Sequence, residues 1–158
     1  MKKVIVSTTV ATLLGVALAG TTLAAIAKAE KTFKGTLQSV ETYVVNPPIM
    51  SVIANGSGNA TQLGQYAISY EVEVNLETLV GEGSAQIVAA NGDILYANLL
   101  GQATPTGTTD VLNVVEEFTI TGGTGRFANA SGSFTVSRVV NITTGVTSGT
   151  LSGNIVTP

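Results

Sequence analysis

The chain has 158 residues and a formal net charge of −3, with 44% of residues hydrophobic, 11% charged, and neither Cys nor His. One domain is the expectation at this length, and the faint acidic balance excludes the basic footprint that a nucleic-acid partner requires. Without Cys or His there is no disulfide, no Zn site and no Ser-His-Asp triad, while the apolar content argues against polar disorder.

Residues 1–29 read as a signal peptide. Lys2 and Lys3 form a positive start, Val4 to Ile26 is apolar and Ala-rich, and Ala27-Lys28-Ala29 is a small-x-small cleavage site. Cleavage after Ala29 would export the protein, placing it in the periplasm or the medium. The rival reading is a retained membrane anchor, since the apolar run is long enough to span a bilayer. A mature domain of residues 30–158 keeps Lys31, Lys34, Arg126 and Arg138 against ten acids, a balance of −6, which disfavours an anionic membrane surface as partner.

From residue 30 onward, period-2 alternation between turn signals replaces any helical stripe. Strands are expected at 32–45, 50–58, 64–75, 80–90, 93–103, 110–121, 131–141 and 146–156. Tyr43 to Pro48 should interrupt the pattern, because Pro47 and Pro48 lack amide donors. Asn91-Gly92 suits a two-residue type I′ hairpin with positive φ at both central positions. Val74-Asn75-Leu76-Glu77-Thr78-Leu79-Val80 echoes Val140-Asn141-Ile142-Thr143-Thr144-Gly145-Val146. That suggests two four-strand halves, with chance as the alternative for so short a match. Eight short strands leave a sandwich or a closed antiparallel barrel, and closure removes the edges that invite aggregation. An eight-stranded barrel has room for side chains or one small ligand.

Alternation also sorts faces. Tyr66, Ile68, Tyr70, Val72, Val74 and Leu76 share one face of their strand. Leu112, Val114, Phe118 and Ile120 share another, with Glu116 among them. Phe134, Val136, Val140 and Ile142 share a third, with Arg138 among them. A lone buried charge is costly. A hairpin symmetric about Phe127 sets Glu116 opposite Arg138 and resolves both anomalies as one pair. Such a pair either fixes register or acts as a polar handle in a ligand cavity. In the second case the cavity would be lined by Tyr66, Tyr70, Glu116, Phe118, Phe134 and Arg138, with Glu116 and Arg138 the candidate catalytic residues. Acidic residues never cluster at Ca²⁺-loop spacing, so neither a metal nor a cofactor is expected.

The most distinctive segment is Thr121-Gly122-Gly123-Thr124-Gly125-Arg126-Phe127-Ala128-Asn129-Ala130-Ser131-Gly132. Its Gly-Gly-Thr-Gly-x-Phe-x-x-Ala-x-Gly pattern resembles the signature of the dirigent proteins and the related allene oxide cyclases. Gly58 to Gly64 is similar to a segment of small exported bacterial members of that superfamily. The resemblance implies an eight-stranded antiparallel barrel, often a homotrimer, with an apolar cavity that orients a reactive molecule. Two departures stand out. Ser131 occupies a position where plant dirigent proteins often carry Arg, and the cyclases' cavity cysteine has no counterpart. Three functions remain open: a non-enzymatic barrel binding a small apolar ligand, a cyclase or stereocontrol protein using Glu116, Arg138 and a tyrosine, and a structural surface or matrix component. A cavity above roughly 300 Å³ lined by Tyr66, Glu116 and Arg138 would favour binding or catalysis, and a solidly filled barrel the structural role.

Overall fold

A computed structural model describes residues 28–158. The expected leader therefore lies outside the described residues, except for Lys28 and Ala29. The strands are β1 (Glu30–Asn46), β2 (Ile49–Ala60), β3 (Gly64–Asn75), β4 (Val80–Val88), β5 (Ile94–Pro105), β6 (Val111–Gly123), β7 (Ser131–Asn141) and β8 (Val146–Val156). Each pairs antiparallel with its neighbours in chain order, and β8 returns to β1, giving the expected closed all-β barrel. β1 serves both sides of the closure. Its first part, Glu30 to Val40, pairs with β8, and Gly35 to Asn46 pairs with β2. This stagger between its two partners is the shear that a closed barrel demands.

Three local features differ from the sequence expectation. Tyr43 to Asn46 do not break the strand: they pair with Val52 to Ile49, and only Pro47 and Pro48 form the connection. Each proline removes a donor at its own position alone. The β4–β5 hairpin is not a two-residue type I′ turn. Gly92 N–H donates to Ala89 C=O and Ala89 N–H to Asp93 C=O, while Gly92 (φ 86) has positive φ and Asn91 does not. Ala90 and Asn91 therefore form an ordinary turn, followed by one left-handed glycine. Lastly, β6 and β7 pair Glu116 with Val136 and Arg138 with Val114, so the hairpin is symmetric about Arg126 rather than Phe127.

The internal echo has a structural counterpart. At the β3–β4 corner, the Asn75 side-chain oxygen accepts from the amides of Glu77 and Thr78, and the Thr78 hydroxyl accepts from Val80 N–H. At the β7–β8 corner, Asn141 accepts from Thr143 and Thr144, and the Thr144 hydroxyl from Val146 N–H. The equivalent left-handed residues are Leu79 (φ 57) and Gly145 (φ 71).

Inward positions fill the two ends of the barrel differently. At the end carrying the chain termini and the β2–β3, β4–β5 and β6–β7 connections, Phe33, Leu63, Leu95, Phe127 and Ile155 are sealed from solvent. Phe127 rides on a short 3-10 turn, Gly125–Phe127, and folds back over Gly123, where a Cβ would sit 2.7 Å from its own. Below it, Phe134 stacks on Phe118 with centroids 4.8 Å apart and meets Phe33 edge-on at 4.9 Å. The Gly-rich motif is thus a plug. At the opposite end, the inward residues of β4 and β5 shrink to Gly81, Gly101 and Ala103, and a cavity remains.

Candidate functional site

The floor of that cavity is a buried charge cluster. Arg138, reaching in from β7, is gripped by Glu116 of β6 through two parallel bonds, Nε to Oε2 and Nη2 to Oε1, each 2.8 Å. Glu116 and Arg138 are diagonal neighbours, not direct partners, and long side chains span that separation. Gly101 on β5 makes the geometry possible, since a Cβ there would stand 2.5 Å from Glu116 Cγ. The second carboxylate is Glu41 of β1, which accepts from Arg138 Nη1. The same nitrogen donates to Thr147 Oγ1 at 3.2 Å, and the Thr147 hydroxyl in turn donates to Val139 C=O. Tyr70 donates to Glu41 Oε1 and Tyr43 to Glu41 Oε2, both at 2.9 Å, and Ser39 completes the chain on Tyr70. Among the described residues no buried side-chain nitrogen or oxygen lacks a partner.

Electrostatics follow from this arrangement. Burial alone would drag the Arg138 guanidinium down. The hydrogen bonds and charge of Glu116 outweigh it, helped by Tyr70 and Glu41, and hold the guanidinium above its ordinary range. Burial likewise raises the Tyr70 hydroxyl against the opposing pull of Arg138. Burial and then Glu41 raise that of Tyr43. Both phenols are therefore hydrogen-bond donors at neutral pH. One guanidinium faces two carboxylates, so with both ionised the cluster carries an uncompensated negative charge.

The cavity above this floor measures about 70 Å³ and is walled by Met50, Val52, Val72, Val74, Val140 and Ile142 among others. That is below the roughly 300 Å³ of a drug-sized site, yet space for several waters or for the inner part of a ligand entering from the open end. The barrel is neither hollow throughout nor solid.

The six cavity residues expected from sequence divide accordingly. Glu116 and Arg138 line the cavity floor. Tyr70 lies just beneath it, bonded to Glu41. Tyr66, Phe118 and Phe134 do not reach it. Phe118 and Phe134 belong to the aromatic stack. Tyr66 crosses β2 over Gly58, where a Cβ would stand 2.7 Å from its hydroxyl, and donates to Thr36 C=O at 2.8 Å. Sequence reasoning missed Glu41, Ser39, Tyr43 and Thr147. The signal for three of them was present: odd positions of β1 run Phe33, Leu37, Ser39, Glu41, Tyr43, placing a carboxylate on an otherwise inward face. Among the described residues no group of Asp or Glu is placed to hold a metal ion.

No protein-family model matches the chain, and no curated protein matches its sequence. Among solved structures, a pterocarpan synthase dirigent protein superposes with a TM-score of 0.60, over 90% of this chain and 97% of its own, at 13% identity. A likeness at that identity speaks for architecture alone. Joined to the closed eight-strand order and the Gly-rich plug, it establishes the fold: this chain is a dirigent-like antiparallel barrel.

Proposed function

We propose that the protein is an exported, non-catalytic barrel that binds one small, mostly apolar ligand in the open half of its interior. The observation that carries this reading is the unequal filling of the barrel. Four phenylalanines pack one half, whereas Gly81, Gly101 and Ala103 leave a cavity of about 70 Å³ in the other half above a fully hydrogen-bonded polar floor. Structural barrels have no need of a vacancy beside a buried ion cluster, and small-molecule sites combine apolar walls with few, well-placed polar groups. Export rests on the leader motif read from the sequence.

A stereocontrol role is the second reading, favoured by the dirigent-like fold and by two donor phenols converging on Glu41. It would act by orientation. Under it, Glu116→Gln removes turnover of an identified substrate, whereas under the binding reading no turnover exists to remove. The binding reading is tested by native mass spectrometry of the protein purified from the cells that make it. A small-molecule adduct that the cavity-filling Ala103→Leu variant fails to carry is expected. Equal adducts on both proteins, or none on either, would sink it.

A further inference from the structure

The polar floor is richer in acceptors than in donors, and this defines the charge of what it takes. Arg138 has five N–H groups. Two serve Glu116, one Glu41 and one Thr147, which leaves one. A carboxylate has about four acceptor sites. Glu116 uses two of them on Arg138, and Glu41 uses three on Arg138, Tyr70 and Tyr43. The unused capacity on the floor therefore seeks a donor, and the net charge of the cluster seeks a cation.

Charge over the whole barrel points the same way. Among the described residues of the mature domain, Lys31, Lys34 and Arg126 sit at the plugged end beside only Glu30 and Asp93: Lys31 reaches the C-terminal Thr157, Lys34 is tied to the β2–β3 turn, and Arg126 lies against Asp93. The open half carries Glu71, Glu73, Glu77, Glu82 and Asp110 on its exterior, and its one cation is the buried Arg138. Such a field concentrates cations at the open mouth and repels anions.

We infer that the ligand is an organic cation, a compact apolar body bearing a protonated amine. Its ammonium group docks against Glu41 and Glu116 and brings the floor to neutrality, and its body lies against the valines of the cavity wall. The inference rests on the binding reading above and specifies its ligand class. It excludes carboxylates and phosphates, which would meet two carboxylates and an already engaged guanidinium.

Three near-isosteres separate the cases: benzylammonium, benzyl alcohol and benzoate, titrated calorimetrically against the protein at neutral pH. Benzylammonium should bind at least about tenfold more tightly than the alcohol, the gap expected of one charge-assisted hydrogen bond. Benzoate should not bind. Added salt should weaken the ammonium alone, a readout independent of whether any variant folds. Glu41→Gln, which neutralises the floor, should close most of the gap. Alcohol binding as tightly as ammonium, or a preference that Glu41→Gln and salt leave intact, overturns the cation assignment while the binding reading stands. Absence of saturable binding by all three overturns both.

Discussion

The two halves of the barrel interior obey one alternation rule and reach opposite results. In the plugged half, inward positions hold Phe33, Leu95, Phe118, Phe134 and Ile155, capped by Phe127, and all six are sealed from solvent. In the open half, the same inward rhythm places Glu41, Gly81, Gly101, Glu116 and Arg138, and a cavity forms above charges that need one another. The backbone decides which residues point inward. The size and charge of those residues decide whether the inside is a core or a site.

This contrast can be broken by mutation, and the largest effect belongs to the charge cluster. Arg138→Met should cost about 3–5 kcal/mol in denaturant unfolding, because it leaves two carboxylates buried without a cation. Phe134→Ala in the packed half should cost a comparable 3–5 kcal/mol or so, whereas Leu112→Ala at the cavity wall should fall below the ~2 kcal/mol that marks the lower bound for a well-packed site. Equal costs at the two positions would mean that the halves are packed alike. The twin corners sharpen the comparison further. Gly145→Leu places a Cβ near 2.2 Å from Glu41 C=O in a left-handed residue and should cost about 1–3 kcal/mol. Leu79→Gly relieves the same backbone conformation but removes a cavity-lining side chain and adds chain entropy, so it should stay within about 1 kcal/mol of neutral. A further effect is alkaline. Burial pushes the Tyr66 hydroxyl up to about 12 from 10.0. The native state therefore keeps its proton where the unfolded chain loses it, and stability present below pH 10 should decline between pH 10 and 12. Tyr66→Phe should make that decline shallower, with the raised hydroxyls of Tyr43 and Tyr70 keeping the remainder.

Much of this was legible beforehand. Strand positions and the inward faces of β3, β6 and β7 followed from alternation, which burial against a single core enforces strictly; alternation alone left a sandwich open, and closure followed from the resemblance carried by the Gly-rich segment. The pairing of Glu116 with Arg138 followed from the cost of burying either alone, although the register was two residues off. The two-residue error left both side chains on the same face, so the chemistry survived it. Its cause is local. β6 carries an irregularity opposite Tyr96 and Ala97, and the loop beyond it has left-handed Gly125 and Asn129, none of which hydrophobic spacing records. Glu41 was missed for a different reason: it lies in β1, 97 residues from Arg138, and meets it only because the barrel closes. The position of the cavity was likewise hidden, since alternation marks Gly101 and Phe118 equally as inward, and only the packed structure reveals which layer is short of volume.

A small neutral aromatic should enter the open half of the barrel and no other part of the interior. With benzyl alcohol added to isotope-labelled protein, intermolecular nuclear Overhauser effects should connect its ring to the methyl groups of Met50, Val72 and Val140, and to none of Leu37, Leu95 or Ile155. Contacts confined to the exterior methyls of Leu100 and Val115, or spread over both ends of the barrel, would contradict it.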